Sequence, residues 1–353
     1  MNILFVNSTR KWGGVKTWCI DMSTKLAEKG HNTWIIGRPG PFTEKAEQLG
    51  VLGSAHTFGP DFNPKSIYFF IKFMKKHDID VVICNISKGL RTAGVAARLL
   101  GIPVVHRLGA PRDVVNSFKT NTMQLFLNAN LLCCSEFVRS YLLESVPLYK
   151  RYNFKAIHPG TRINQVPPST VNTPRTIIAT SQLIESKGHD QLLVALAALK
   201  KRNYQFKCII VGTGGEEKRL KELCTNLDLD GQVEWTGFVT DVQSKLNMAD
   251  IFVLPTFCEP LGIALEEAMA NGLVSVARNT GGPTEIWPDK LKHLLIDPES
   301  NAKGFEQALA DLLDLSDEEL LQMKQDFREH ATTTFSLDLQ ADKFISWMEK
   351  FVK

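Results

Sequence analysis

At 353 residues the chain is longer than one hydrophobic core usually supports, so two domains of roughly 150 to 200 residues are expected. No apolar run approaches the ~18 residues that span a bilayer, and the seven cysteines show no C-x-x-C spacing, which argues against a disulfide framework or a zinc site. The formal net charge of +3 hides opposite halves: residues 1–165 hold 22 Lys and Arg against 10 Asp and Glu, and the remainder holds 19 against 28.

The chain enters a strand, Asn2 to Val6, in place of a basic segment followed by an apolar signal core, so a cytosolic address is expected. Further short apolar strands are predicted at Thr33–Gly37, Val81–Asn85, Val104–Leu108 and Leu131–Ser135, each followed by a helical stretch. Continuous apolar strands are buried on both faces, which means a parallel sheet wrapped by helices. Between them, the run Ser66 to Met74 carries Lys72, Lys75 and Lys76 beside or within it, a basic face able to meet an anionic lipid or acceptor, or to pack on an acidic partner domain. The basic residues are scattered and not interleaved with aromatics, so nucleic acid is not expected.

A polar tract, Asn164 to Pro174, reads as a linker, and the alternation restarts with strands at Thr176–Thr180, Phe206–Val211, Val233–Thr236, Ile251–Leu254 and Leu273–Val276. The fold class is therefore α/β, with two doubly wound Rossmann-like domains, 1–165 and 166–335. Ligands of such sheets bind at the carboxyl ends of the strands, so a cleft between two facing domains is expected. Residues 336–353 form a last helix with Phe344, Trp347, Met348 and Phe351 apolar. It either caps the second domain or returns to the first.

Four loops after strands carry the chemistry. Gly13 and Gly14 precede a helix and can let backbone N–H groups approach a phosphate, although a double glycine is as often a plain turn. Lys187 ends the loop Ser181 to Gly188, where an ammonium can serve as a point charge for phosphate. The loop from Gly212 to Glu216 lacks the third glycine of a dinucleotide turn, which disfavours a nicotinamide reading. A fourth loop, Asn279 to Glu285, brings Gly281 and Gly282 as flexible residues.

His106 stands at the end of the strand VVHRL, a position equally suited to ligand contact and to a structural hydrogen bond. In IFVLPTFCEPLGIALEEAMA (Ile251–Ala270), a Glu-Pro pair opens an amphipathic helix. Glu259 and Glu267 are eight residues apart, roughly 12 Å at helical rise. That separation suits the two ends of an elongated ligand, with the free N–H groups of Leu261, Gly262 and Ile263 between them. It exceeds the roughly 5 to 9.5 Å of a hydrolase acid pair. Spacing alone does not choose between Glu266 and Glu267.

The run from Glu259 to Ala270, with seven residues between its acids, resembles the signature of the family 4 retaining glycosyltransferases, which have the GT-B fold. The segments SQLIESKGHDQLLVAL, IIVGTGGEEKRL, VEWTGFVTDV and NTGGPTEI follow in the family's order. In the first half the glycine pair, His106, Ser135-Glu136 and His158-Pro159-Gly160 are similar to family positions. The resemblance implies a second domain that binds a nucleoside diphosphate sugar and a first domain that receives the acceptor. It places Glu267 on the ribose hydroxyls, Glu259 with the amides of Leu261, Gly262 and Ile263 at the donor sugar, and Lys187 on the diphosphate. Gly13 and Gly14 would admit the phosphates, and His106 would contact the sugar near its anomeric carbon. Gly212 is counted with the donor-binding positions. The chain departs from the family at Gln182, where many members carry an arginine, so Arg10, Lys11 or another cation is expected to compensate.

The implied activity is metal-independent retaining transfer from a nucleoside diphosphate sugar, with UDP the expected nucleotide, to a hydroxyl of a cell-surface glycan such as lipopolysaccharide, O-antigen or capsule. No cofactor is expected. The acceptor is a glycan or lipid-linked, and peripheral contact with the inner face of an anionic membrane is expected to accompany it. The competing readings are a nucleotide-sugar-binding protein without turnover and an epimerase or hydrolase on the same fold.

Overall fold

A computed structural model describes residues 1–10 and 13–352. The chain divides into two compact units, residues 1–160 with the C-terminal segment from Leu337, and residues 161–336.

The first unit holds a seven-stranded parallel sheet: β1 (Asn2–Asn7), β2 (Asn32–Gly37), β3 (Leu52–Ala55), β4 (Val81–Asn85), β5 (Val104–Leu108), β6 (Asn130–Cys133) and β7 (Phe154–Ala156). Their spatial order is β3-β2-β1-β4-β5-β6-β7. Strands β4 and β5 are buried along their whole length, and β1 is buried after its first residue, as apolar strands covered on both faces must be. The edge strands β3 and β7 were not expected. Each is short and weakly apolar (LGSA and FKA), and it is the neighbouring strand's backbone that makes it a strand. Ser135, expected to end a strand, instead caps the helix Glu136–Ser145, its hydroxyl accepting from the Val138 N–H at 3.2 Å.

The second unit holds β8 (Arg175–Thr180), β9 (Phe206–Val211), β10 (Val233–Gly237), β11 (Ile251–Leu254), β12 (Val274–Arg278) and β13 (Leu295–Ile296), in parallel order β10-β9-β8-β11-β12-β13. A buried ion pair ties its entry to its core. Lys324 Nζ lies 3.0 Å from Asp250 Oδ1, and the same carboxylate accepts from the N–H of Thr176 at 2.9 Å and of Asn172 at 3.2 Å. A buried carboxylate is tolerated only when saturated in this way.

In both sheets the strand order reverses direction at one point, between β1 and β4 and between β8 and β11. The crevice at the carboxyl ends of such a pair is where these sheets bind ligands. The chain then returns to the first unit. The helix Leu337–Met348 buries Leu337, Ala341, Phe344, Trp347 and Met348. Phe344 meets Trp18 edge-on at 6.1 Å, and Trp347 Nε1 donates to Asn153 Oδ1 at 3.1 Å. Lys29 binds Asp342 at 2.7 Å and Asp338 at 3.2 Å across the same contact. Among the described residues, no helix is long and apolar enough to cross a membrane.

Candidate active site

In the second unit the loops after β8, β9, β11 and β12 are held together by close backbone approach, and glycines make the approach possible. Gly188 adopts φ +66°, and a Cβ there would lie 2.3 Å from the Pro255 carbonyl oxygen. Gly212 and Gly214 would place a Cβ 1.9 Å from the Ser181 oxygen and 2.1 Å from the Leu183 oxygen. Gly281 and Gly282 would meet the oxygens of Glu259 and Pro260 at 2.5 and 2.1 Å. Only a residue without a side chain fits such positions. The fourth loop is thus not simply flexible: the Gly282 N–H donates to the Glu259 carbonyl at 2.9 Å and fixes the turn that carries the signature acid. The Gly212 N–H is likewise committed, to the Gly237 oxygen at 2.9 Å, and the space a side chain would take is filled by the Ser181 oxygen.

This packing brings Lys187 and Glu259, 72 residues apart in sequence, into an ion pair of 2.6 Å, each side chain about one-fifth exposed. The helix behind them starts at Ile263, capped by Gly262 in the left-handed region at φ +99°. Half of the steps from Glu259 to Glu267 are therefore loop, and the helical-rise estimate of their separation does not apply. Along the helix Glu267 shares the partly open face with Ile263, one turn earlier, whereas Glu266 is fully buried. The N–H groups of Leu265 and Glu266 already donate to the Gly262 carbonyl, at 2.9 and 3.1 Å, which leaves the amides before them, up to Ile263, at the positive end of the helix dipole. Gln182 is exposed.

Sequence reasoning passed over His189, which opens the helix His189–Lys201 beside Lys187. It is buried and bonded through Nε2 to Ser181 Oγ at 2.8 Å. Burial, reinforced by Lys187, lowers its pKa from 6.5 to about 4. A lone histidine after Gly188 gave no pattern to find it by.

In the first unit the carboxyl ends of β1, β4 and β5 expose a different chemistry. His106 is buried, and neither ring nitrogen has a hydrogen-bond partner. On the neighbouring strand ends, Asn85 Nδ2 and Oδ1, Asn7 Nδ2 and Ser8 Oγ are also buried and unpartnered. Burying this many unsatisfied polar atoms costs about 1–3 kcal/mol each, a cost that marks a place for a polar ligand or ordered water. The backbone is strained at the same rim. Ile86, a β-branched residue, sits at φ +61°, and a π-turn follows at Leu90–Gly94. These signals are conformational, and no motif announces them.

Gly13 is extended, and a Cβ there would meet nothing within 4 Å, so neither backbone geometry nor crowding inside the protein requires glycine. Gly14 begins the helix Gly14–Glu28. Lys11, one of the cations expected to stand in for the missing arginine, lies outside the described residues. Arg107 packs its guanidinium 4.3 Å from the Trp18 ring, on the opposite face of β5 from His106, and its Nη1 is buried without a partner. Among the described residues, no three His, Cys, Asp or Glu side chains converge as a metal ion would need.

Burial, with a smaller contribution from Arg91, lowers the His106 pKa from 6.5 to about 4. Both His106 and His189 are thus neutral in the fold, whereas in the unfolded chain they titrate near 6.5. Their contribution to stability is complete above about pH 6.5 and is lost as the pH falls towards 4, where the unfolded state binds protons that the fold refuses. The loss is on the order of 3 kcal/mol per ring. Urea midpoints measured between pH 7 and 4.5 should fall, and His106→Gln should remove about one proton from the slope. An unchanged slope would show that the ring titrates normally.

Two family descriptions tile the chain: the group 1 glycosyl transferases match residues 162–333, and glycosyltransferase family 4 matches residues 12–164. The chain belongs to the family 4, group 1 type, glycosyltransferases. A solved glycosyltransferase from Rickettsia africae superimposes on this family member with a TM-score of 0.83 at 22% identity, covering 100% of this chain and 98% of that one. The HepE protein of Anabaena, solved in complex with UDP and glucose, gives a TM-score of 0.81 at 20% identity over 99% and 100% of the two chains. The fold is therefore GT-B, with two parallel-sheet Rossmann-like units. The lipopolysaccharide core biosynthesis glycosyltransferase LpsE of Rhizobium meliloti is 24% identical over 85% of this chain and 87% of its own length. For WcaL of Escherichia coli K12, named for colanic acid biosynthesis, identity is 29%, and the match spans 64% of this chain and 58% of that protein.

Proposed function

We propose that this glycosyltransferase moves a sugar from a nucleoside diphosphate donor, with UDP as the nucleotide, to a hydroxyl of a cell-surface glycan of the lipopolysaccharide or capsule kind. The observation that carries the reading is the Lys187–Glu259 pair beside the amino end of the helix that bears Glu267. Breaking the anomeric bond develops negative charge on the leaving diphosphate, and a preorganised ammonium and unused helix amides stabilise that charge without reorganising. The residues fit the parts of one extended ligand. Glu267 takes the ribose hydroxyls, Lys187 and the amides of Leu261, Gly262 and Ile263 take the diphosphate, and Glu259 orients the ammonium and the donor sugar. Gly212 acts on the donor through the loops it lets meet, those after β8 and β9. In the first unit taken by itself, Gly13 leaves space beside its backbone and the unpartnered His106 offers its ring nitrogens to a polar group of a ligand.

The transfer proceeds with retention: the departing diphosphate takes the acceptor's proton on the face it leaves, and no metal or cofactor is required. The names of LpsE and HepE's bound UDP and glucose support the glycan and donor classes. The basic residues of the first half suit an anionic acceptor at the inner face of a cytoplasmic membrane, reached by peripheral contact.

Calorimetric titration with UDP, GDP, ADP and their sugar conjugates tests the donor. One nucleotide family is expected to bind, and Glu267→Ala is expected to weaken it by 10-fold or more, about 1.4 kcal/mol, through loss of a charge-assisted hydrogen bond. A folded protein that binds none of them would sink the proposal.

A further inference from the structure

The first unit contains a cavity of about 720 Å³, far larger than a packing defect and in the range of small-molecule sites. It lies beside the strand ends just described and includes His106 in its wall. Most of the wall is hydrocarbon: Phe62, Leu90, Val114, Val115, Phe118 and Met123 contribute to it. Two of these, Val115 and Phe118, are 72% and 87% exposed, so the apolar surface continues out to solvent.

Along the apolar part of that wall a sugar ring's hydroxyls would exchange water for carbon. A hydrocarbon chain loses nothing by the exchange. Polar side chains stand among the apolar ones, including Ser87, Asp113, Ser117, Thr120 and Gln124. His106 is buried with both nitrogens free to bond, and Arg91 and Lys119 both contact Asp61, with Lys88 3.7 Å from the same carboxylate. With Asp113, whose carboxylate also lines the cavity, three cations face two anions and leave a surplus of one positive charge, which complements an anionic group on whatever occupies the cavity.

We infer that this cavity binds the hydrocarbon chain of an anionic glycolipid acceptor, held so that the polar end of the acceptor lies at His106. The inference rests on the transferase reading for the word acceptor and on the cavity alone for the chain. It narrows the substrate class from any glycan to one attached to an alkyl or prenyl chain.

The test is calorimetry on the full chain with n-alkyl β-glucosides from ethyl to octyl, each below its micelle concentration. Affinity is expected to rise roughly fourfold for each added methylene, as burial of a CH₂ requires. Thr122→Trp fills the cavity from an exposed lining position, and Val115→Asp puts a charge in its wall, again at an exposed position that leaves the core intact. Both variants are expected to abolish the dependence on chain length. Affinity independent of chain length in the unmodified protein, or an undiminished dependence in both variants, would overturn the inference. UDP is titrated separately. Chain-length dependence without nucleotide binding overturns the transferase reading alone, and nucleotide binding without chain-length dependence overturns the cavity assignment alone.

Discussion

Lys187→Ala is expected to lower kcat for sugar transfer by roughly 10²- to 10³-fold, about 3–4 kcal/mol of transition-state stabilisation, with a smaller effect on nucleotide affinity. The ammonium is held 2.6 Å from Glu259 and is mostly shielded from water, so its charge acts in a medium where it is worth more than at an open surface. The loop offers no replacement, because Gln182 is neutral and exposed. The substitution also leaves Glu259 as an uncompensated carboxylate facing the site, which repels a diphosphate. Lys187→Ala combined with Glu259→Gln removes that repulsion. Affinity should partly recover in the double variant while kcat remains low, since the cation itself is still missing. Lys187→Arg should keep part of the rate, because the charge remains but the rigid fork does not superimpose on a single ammonium. If Lys187→Ala retains kcat within about threefold of the unmodified enzyme, the leaving-group charge is neutralised elsewhere, and Arg10 becomes the first residue to replace.

Ending the chain at Ser336 is expected to leave the first unit unfolded. The lost helix buries Leu337, Phe344, Trp347 and Met348 in the core shared with the helix Gly14–Glu28, which carries Trp18 and Ile20. At about 1.5–3 kcal/mol for each large side chain, the loss is roughly 6–12 kcal/mol, comparable to the whole stability of an ordinary domain. The exposed face should make the truncated protein aggregate. Trp347→Ala is the milder form, expected to cost about 3–5 kcal/mol through the vacated volume and the lost bond to Asn153. Because Lys187, Glu259 and Glu267 all belong to the other unit, Trp347→Ala should melt earlier yet still bind nucleotide at low temperature. A truncated chain that stays monomeric and melts like the full-length protein would show that the helix is dispensable.

The period of hydrophobicity made ten of the thirteen described strands legible, since an apolar run such as VVICN or IFVL has one comfortable place, inside a parallel sheet. The edge strands β3 and β7 and the two-residue β13 were not legible, because each owes its conformation to a neighbour's hydrogen bonds and carries little pattern of its own. The same division runs through the site. Glu259 and the glycines were readable by type and spacing, whereas Glu267 was separated from Glu266 only by the family resemblance.

The sequence by itself determined two alternating α/β halves and the family signature. Only the tertiary structure decided that Lys187 pairs with Glu259, that Gly212, Gly214, Gly281 and Gly282 are required by backbone contact, and that the final helix belongs to the first unit. It alone also revealed the unpartnered His106 beside an apolar cavity. Each of these depends on residues distant in sequence reaching the same few ångströms, and local periodicity carries no information about which distant carbonyl a glycine must clear or which buried nitrogen will lack a partner.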